Sequence, residues 1–331
     1  MANGKITNLM KYKIESISGD ASFRTFHRII LNKKSRIVVH SKREKYNNLI
    51  AYSSVNKFLR KNKILAPKLF AHNLKKGIII IEDFGDTSFH KIILKKKNKL
   101  KEYKMLVDFL LKIQKINIDL KIKSIIEKPH LIKKYSVKLL HKESDLFFKW
   151  YLPFFFKKKK VSEIKKKMRK ILSNTYKKLY FKNNLFVHRD FHLQNLMKVN
   201  KNIGVIDNQD ALIGNPAYDL VSLIDDVRIK TSKKLKNQIF KYYLLKAPKN
   251  YKKKYDKFLN DFNILSIQRS LKIIGIFSRL FKRDKKSKYL KLIPYTWQLL
   301  EERSDSKIFL NLKRVLDQNI SKNIRKKIIF K

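Results

Sequence analysis

A chain of 331 residues with 44% hydrophobic and 12% aromatic side chains can bury one large core or two modest ones, which excludes a disordered protein. Its formal net charge of +54 comes mostly from lysines in short scattered runs, without one basic stripe or repeated aromatic interleaving, so we interpret it as compositional bias. The absence of cysteine excludes disulfides and thiolate metal sites, and no apolar run approaches the roughly 18 residues of a membrane helix.

The first part of the chain has the pattern of a small sheet with one helix. β-Favouring residues predict strands over Phe23–Leu31 and Ser35–His40, with a hairpin turn between them. Apolar residues at helical spacing predict a helix over Arg43–Lys61. Short apolar runs then predict strands over Lys68–Ala71 and Gly77–Ile81.

The remainder of the chain is mainly helical, with one strand-rich insert. Helical periodicity extends over Leu106–Ile116 and again over Leu259–Phe281. The insert contains three short apolar runs, Leu185–His188, Leu196–Val199 and Ile203–Ile206, and a turn-forming segment joins the last two.

These elements predict an α+β fold with two lobes. Residues 1–84 form a small antiparallel-sheet N-terminal lobe, and residues 85–331 form a larger, mainly helical C-terminal lobe. The polar N-terminus lacks the apolar stretch of a signal peptide, so we expect a cytoplasmic protein without a membrane span.

The insert also holds polar residues that fit phosphoryl transfer. This reaction needs a group that orients a hydroxyl and ligands that hold a divalent metal on the transferring phosphate. Asp190 can accept the proton of the hydroxyl, while Asn195, five residues on, and Asp207, at a strand end, can offer oxygen ligands. Such ligands suit Mg²⁺, whereas His188 and His192 lack the further ligands that a zinc site needs.

Two segments around these residues, Phe186–Met197 and Gly204–Ala211, resemble the aminoglycoside phosphotransferase and choline kinase superfamily. Within it, other stretches are similar to the bacterial anomeric kinases of N-acetylmuramate and N-acetylglucosamine. These stretches span most of the chain: Gly19–Arg24, Ile81–Asp86, Phe147–Leu152, Tyr218–Leu223 and Gln268–Phe277.

The resemblance implies a protein-kinase-like fold and a phosphotransferase that acts on a sugar hydroxyl. We expect a monomer. The γ-phosphate of ATP would pass to the anomeric hydroxyl and give a sugar 1-phosphate for peptidoglycan recycling. Asp190 would be the catalytic base, Asn195 and Asp207 the Mg²⁺ ligands, and Asp219 a buried brace for the catalytic loop, unless it only opens the following helix.

The same resemblance implies where the nucleotide binds. Six residues in two segments are expected to contact it: Ser22, Phe23 and Arg24 in a turn over the phosphates, and Glu82, Asp83 and Phe84 in a hinge that meets adenine. The turn has one glycine, so a plain hairpin turn remains an alternative, and a simple linker accounts equally well for the hinge.

One part of the superfamily pattern is missing. The usual lysine that orients the α- and β-phosphates, and the helix glutamate that pairs with it, are replaced by His40 and Tyr52. Because both members of the pair are absent together, no orphan charge remains. Arg24, Arg28 or Lys42 could supply a different phosphate clamp.

Four residues are candidates for sugar contacts: Asp210, Trp150, Tyr151 and Arg269. Aromatic rings can stack on sugar faces, and arginine can pair with the lactyl carboxylate of N-acetylmuramate, although each residue could equally belong to the core or to a surface ion pair. A cationic acceptor would need a cluster of carboxylates, yet the region Ile229–Lys331 is strongly basic, which favours a neutral or anionic acceptor.

Two alternatives remain open at this point. An aminoglycoside- or choline-type phosphotransferase has the same catalytic motif. A basic nucleic-acid-binding protein on a kinase scaffold is the alternative from another class, and its binding would weaken steeply with salt. We expect no dedicated nucleic-acid partner.

Overall fold

The computed structural model describes residues 13–17, 24–32, 34–42 and 46–328. The chain divides into two compact units. The first comprises Met1–Thr87, Lys121–Leu131 and Met197–Asp210, and the second comprises Ser88–Leu120, Ile132–Leu196 and Ala211–Lys331. The lobe boundary after residue 84 stays a prediction.

The described strands, in chain order, are β1 Lys13–Ile17, β2 Thr25–Leu31, β3 Lys34–His40, β4 Leu69–Asn73, β5 Ile78–Glu82, β6 Lys121–Ile122, β7 His130–Leu131, β8 Leu185–Val187, β9 Leu196–Val199, β10 Asn202–Val205 and β11 Leu212–Gly214. The described helices are α1 Tyr46–Lys61, α2 Phe89–Leu94, α3 Leu100–Gln114, α4 Val137–Leu146, α5 Lys158–Tyr176, α6 Ala217–Ile224, α7 Lys233–Lys246, α8 Lys249–Lys253, α9 Tyr255–Asp284, α10 Ile293–Ser304, α11 Leu310–Asn319 and α12 Lys322–Lys326. Sheet residues early in the chain and helices in most of the rest confirm the predicted α+β class.

The first unit is built on an antiparallel sheet. Among the described residues its strands lie in the order β1-β2-β3-β5-β4. Ile37 lies opposite Ile81 and Val39 opposite Ile79, so alternate side chains of β3 and β5 share one face. α1 covers this face, and the core between helix and sheet consists of buried side chains from all three elements: Ile37, Val39, Ile79, Ile81, Leu49 and Tyr52.

Backbone hydrogen bonds tie the β9–β10 hairpin to the first unit. The Lys198 N–H donates to the Thr87 carbonyl (2.8 Å), and the Val205 N–H donates to the Leu65 carbonyl (2.9 Å). The ring of Phe84 lies over Gly204, where an added Cβ would come within 2.7 Å of a ring carbon. Glycine at this position therefore allows the predicted hinge to pack on the hairpin.

The second unit is organised around α9, a helix of 30 residues whose middle section is buried. α4, α6 and α10 pack against it. At Gly275 an added Cβ would lie 2.3 Å from the carbonyl carbon of Leu146, so only glycine lets the end of α4 approach so closely. The chain there continues into a π-helical turn, Phe147–Tyr151. Among the described residues no helix is long and apolar enough to cross a membrane.

A buried ion network joins α6, α7, α9 and α10. Asp225 accepts two hydrogen bonds from Arg303 (3.1 and 2.9 Å) and one from Ser266 (2.7 Å), and the Lys236 ammonium lies 3.6 Å away. Burial alone would raise the pKa of Asp225, but the charge and hydrogen bonds of Arg303, assisted by Lys236, outweigh it and hold the pKa below its usual range. Asp225 is therefore ionised in the folded protein.

Asp225→Asn should lower the free energy of unfolding at pH 7 by about 3–5 kcal/mol, because it removes the carboxylate partner of the Arg303 guanidinium group. Since the folded-state pKa is depressed, this stabilisation is present above the ordinary aspartate pKa of about 4 and is lost as the pH falls below it. Denaturant unfolding at several pH values measures the difference. Asp305→Asn, which removes an exposed ion pair with Lys313, is the control and should leave the free energy of unfolding nearly unchanged. A difference that does not shrink on acidification would contradict the assignment.

Candidate active site

The predicted catalytic loop begins at the end of β8, which pairs with β11. Asp219, in the first turn of α6, is fully buried, and its carboxylate accepts hydrogen bonds from the backbone N–H groups of His188 (2.7 Å) and Arg189 (3.0 Å). Arg189 adopts a left-handed conformation with φ +73°. Strained backbone of this kind persists where its surroundings fix it, and it is often found at functional sites. Asp219 thus braces the start of the loop.

The loop closes around the backbone of Asp190. Its carbonyl accepts hydrogen bonds from the His192 N–H (2.9 Å) and from the Asn195 side-chain amide (3.0 Å). Its own N–H donates to Nδ1 of the buried His188 (3.2 Å), so this histidine supports the loop. The Asp190 side chain itself is 35% exposed, so a small molecule can reach it.

Charged side chains of the second unit set the ionisation of Asp190. Burial opposes its charge, but the Lys272 ammonium, together with Arg189 and Arg269, outweighs this effect, and the pKa lies well below its usual range. Burial lowers the pKa of His192 itself to about 3, so its ring is neutral at physiological pH. Asp190 is therefore a carboxylate that can accept a hydrogen bond from a hydroxyl.

The predicted metal ligands fit Mg²⁺ by their chemistry. Asn195 lies in the second unit and uses its amide nitrogen on Asp190, which leaves its amide oxygen as the atom for a cation. Asp207 lies in the first unit, in a left-handed conformation with φ +67°. In the described part of the chain no group of three His, Cys, Asp or Glu side chains could hold a metal. Mg²⁺ commonly takes one or two protein oxygens and fills its shell with phosphate and water. That these two residues share one ion stays a prediction.

Arg24 meets Asp207 within the first unit. Its side chain is 4% exposed, forms an ion pair with the Asp207 carboxylate, and donates to Gln209 Oε1 (3.1 Å). Its guanidinium also lies 5.5 Å from the centre of the Tyr52 ring. The residue in the usual glutamate position thus supports an arginine beside a predicted metal ligand, whereas His40 is exposed at the end of β3.

The hinge carboxylates are held by another arginine. Arg28 donates to Asp83 (2.5 and 3.1 Å) and to Asp86 (2.9 and 3.0 Å). Glu82 accepts from the Lys68 N–H (3.0 Å). These bonds order the segment at the end of β5, and adenine contacts by Glu82, Asp83 and Phe84 stay predictions, while Ser22 and Phe23 lie outside the described residues.

The four sugar-contact candidates occupy different environments. Asp210 is exposed in the first unit and accepts from Gln209 (3.2 Å). Trp150 is half-buried, and Tyr151 is buried in the second unit, where its hydroxyl accepts from Trp297 (3.0 Å). Arg269, on α9, is 3% exposed. All four roles stay predictions, and Arg269 is the candidate whose charge acts on Asp190.

Sequence reasoning missed Lys272, which lies beside Asp190, and Glu143, which lies beside Lys272. The Lys272 ammonium lies 3.9 Å from Asp190 Oδ1 and 3.5 Å from Glu143 Oε1. Lys272 belongs to the Gln268–Phe277 stretch that carries the resemblance, but one lysine in so lysine-rich a chain gives no signal by itself. Glu143 lies outside all of the quoted motifs.

Comparison with known proteins identifies the family. The Phosphotransferase enzyme family (APH) matches residues 13–254, so the chain belongs to this family. It is similar to a protein named N-acetylmuramate/N-acetylglucosamine kinase from Neisseria meningitidis serogroup B, with 28% identity over 84% of this chain and 81% of the relative. The protein is therefore a kinase that phosphorylates a hydroxyl group.

Solved structures confirm the predicted protein-kinase-like fold. The aminoglycoside phosphotransferase APH(2'')-Ib with bound ADP superposes with a TM-score of 0.59 at 17% identity, covering 91% of this chain and 95% of the other. The Plasmodium vivax ethanolamine kinase gives a TM-score of 0.60 at 12% identity, covering 88% of this chain and 82% of the other. At these identities the matches establish the fold and leave the acceptor open.

Asp190→Asn should lower kcat by about 10²- to 10⁴-fold, because the amide can no longer take the proton of the acceptor. The measurement is the rate of ADP release by the folded protein. Asp108→Asn is the control, since among the described residues this exposed aspartate on α3 accepts a hydrogen bond only from the Tyr242 hydroxyl (3.0 Å), and it should leave kcat within about twofold. Turnover of Asp190→Asn close to that of the parent would remove Asp190 from the reaction.

Proposed function

We propose that this protein transfers the γ-phosphate of ATP to the anomeric hydroxyl of N-acetylmuramate, N-acetylglucosamine or both, and so yields a sugar 1-phosphate. The name of the Neisseria relative, which aligns over most of both chains, supports an amino sugar as the acceptor. A role in peptidoglycan recycling in the cytoplasm fits such a product. The ADP bound to a structural neighbour supports ATP as the donor.

The balance of charges around Asp190 is the observation that supports this acceptor class. Glu143 lies against both Arg189 and Lys272, and Asp226 lies 3.6 Å from Arg228. Arg269, although nearly buried, forms no hydrogen bond or ion pair within the described part of the chain. Its charge acts on Asp190 and Asp226, but none of the described carboxylates forms an ion pair with it, so a ligand anion at this position would be favoured. A cationic aminoglycoside or choline would meet the positive charge of Arg269 here, although it needs a negative one.

In this reaction Asp190 orients the anomeric hydroxyl and takes its proton, while the oxygen forms a bond to the γ-phosphorus. The bond between that phosphorus and the bridging oxygen of ATP breaks, and ADP leaves with the electron pair. Mg²⁺, when bound, neutralises charge on the phosphates. Asn195 and Asp207 are the residues that we propose for holding it.

An ADP-release assay over N-acetylmuramate, N-acetylglucosamine, aminoglycosides and choline tests the acceptor, and ³¹P NMR of the product locates the phosphate. We expect turnover with the amino sugars and a phosphate on the anomeric oxygen. Turnover with aminoglycosides or choline alone would refute the acceptor. No turnover, with salt-sensitive RNA binding that survives Asp190→Asn, would favour the nucleic-acid alternative.

Arg269→Gln should lower kcat/KM for N-acetylmuramate about 10- to 100-fold, because a hydrogen bond to a charged group contributes about 1.5–3 kcal/mol. N-Acetylglucosamine has no lactyl carboxylate, so its kcat/KM should change less than about threefold on the same grounds. Arg283→Gln, on the same helix but 56% exposed beside Asp284, is the matched control. Equal losses of kcat/KM with both sugars would show that Arg269 does not bind the lactyl carboxylate.

We also propose that Arg24 replaces the missing lysine as the cation at the phosphates. Arg24→Met should weaken Mg²⁺-ATP binding about 10- to 100-fold, since it removes a charge-assisted contact to nucleotide and to Asp207. Binding is measured by calorimetry without acceptor. Arg36→Met is the control, because this arginine lies on the exposed side of β3 over the Phe70 ring (3.9 Å). Unchanged nucleotide affinity in Arg24→Met would show that Arg24 is not the cation at the phosphates.

A further inference from the structure

Lys272 is a buried cation that the family resemblance does not explain. It lies in the middle of α9, and its side chain is 8% exposed. Burial of a lone ammonium group costs several kcal/mol, so such a lysine needs carboxylate partners. Two are present, Glu143 Oε1 at 3.5 Å and Asp190 Oδ1 at 3.9 Å. Burial would lower the pKa of Lys272, but the charge of Glu143, followed by smaller contributions that include Asp190, raises it above its usual value.

Glu143 provides a fixed support for this ammonium group. Its carboxylate, 6% exposed on α4, accepts a hydrogen bond from Gln268 Nε2 (2.9 Å) and further ones from the Tyr135 hydroxyl and Arg189. Three donors from separate segments leave the carboxylate little freedom to rotate. Lys272 is therefore held at a defined place beside Asp190.

Lys272 could serve as the counter-ion of Glu143 or act on Asp190, and the number of charges around Glu143 distinguishes these two roles. If it served only as the counter-ion of Glu143, it would duplicate Arg189, which already forms an ion pair with that carboxylate. Two cations share one carboxylate, and the ammonium group also faces Asp190. We therefore infer that the charge of Lys272 acts on Asp190.

We propose that Lys272 is a positioning residue for phosphoryl transfer: anchored on Glu143, it holds Oδ1 of Asp190 so that Oδ2 faces the hydroxyl of the acceptor. The hydroxyl proton then moves to Oδ2 as the oxygen–phosphorus bond forms and ADP departs. The inference rests on the proposed function only in taking Asp190 as the proton acceptor, and it holds for any hydroxyl acceptor.

Lys272→Met tests this role, because methionine keeps most of the length of the side chain and removes the charge. We expect kcat to fall about 10- to 100-fold, while KM for acceptor and for ATP stays within about threefold, since misorientation of a proton acceptor affects the transition state more than substrate binding. If Lys272→Met lowers kcat 100-fold, Lys272→Arg should have a kcat at least about tenfold higher than that of Lys272→Met, because it restores the charge. Lys282→Met, exposed on the same helix, is the matched control and should match the parent.

The acceptor in these assays is the compound that the ADP-release panel identifies, so a wrong sugar assignment does not affect the test. If the panel identifies no acceptor, the rate of ATP hydrolysis by water is measured instead. If Lys272→Met does not fold, the double variant Lys272→Met/Glu143→Gln removes both charges, and the same loss in kcat is expected. A kcat within threefold of the parent would overturn the proposal. So would a loss confined to KM, or a loss that Lys272→Arg does not recover.

Discussion

The predicted catalytic loop depends on two hydrogen bonds that one buried carboxylate accepts from the backbone of the loop. Asp219 takes the N–H groups of His188 and Arg189, at 2.7 and 3.0 Å, and so satisfies two donors that would otherwise be left unpaired in the interior. Burial raises the pKa of Asp219 to about 6, despite the bonds that favour its charge. With this brace the left-handed Arg189 is tolerated, and Asp190 follows in a fixed orientation. The backbone before Asp190, the predicted proton acceptor, is thus fixed by a residue of α6.

The interior and the surface of this protein use charge differently. At the surface, lysines outnumber acidic partners and contribute little to stability. In the second unit, each buried cation near the loop and in the helical core lies against particular carboxylates, such as Arg303 and Lys236 against Asp225. Arg269 is the exception within the described residues. A chain with such a general excess of basic residues therefore still encodes specific charge pairs where water is excluded, because unpaired burial is costly there.

Local patterns predicted much of the fold. The apolar runs of β2 and β3 and the helical spacing of α1 depend on neighbours in sequence, and the observed elements start and end within a few residues of the predicted ones. β1 was not predicted, since Lys13–Ile17 is mostly exposed and becomes a strand by pairing with β2. The π-helical turn Phe147–Tyr151 was missed as well, because the contact between Gly275 and the end of α4 joins residues far apart in the chain.

The sequence by itself determined the α+β class, and it predicted Asp190, Asn195 and Asp207 as site residues, because the spacing of a loop between short strands is a local property. Only the tertiary structure decided which charges surround those residues. It brought Lys272 to Asp190 and Glu143, and Arg24 to Asp207, from positions far away along the chain. The strength of an electrostatic interaction depends on the distance between the charges in the folded state and on the exclusion of water around them. Neither can be predicted from the positions of the residues along the chain.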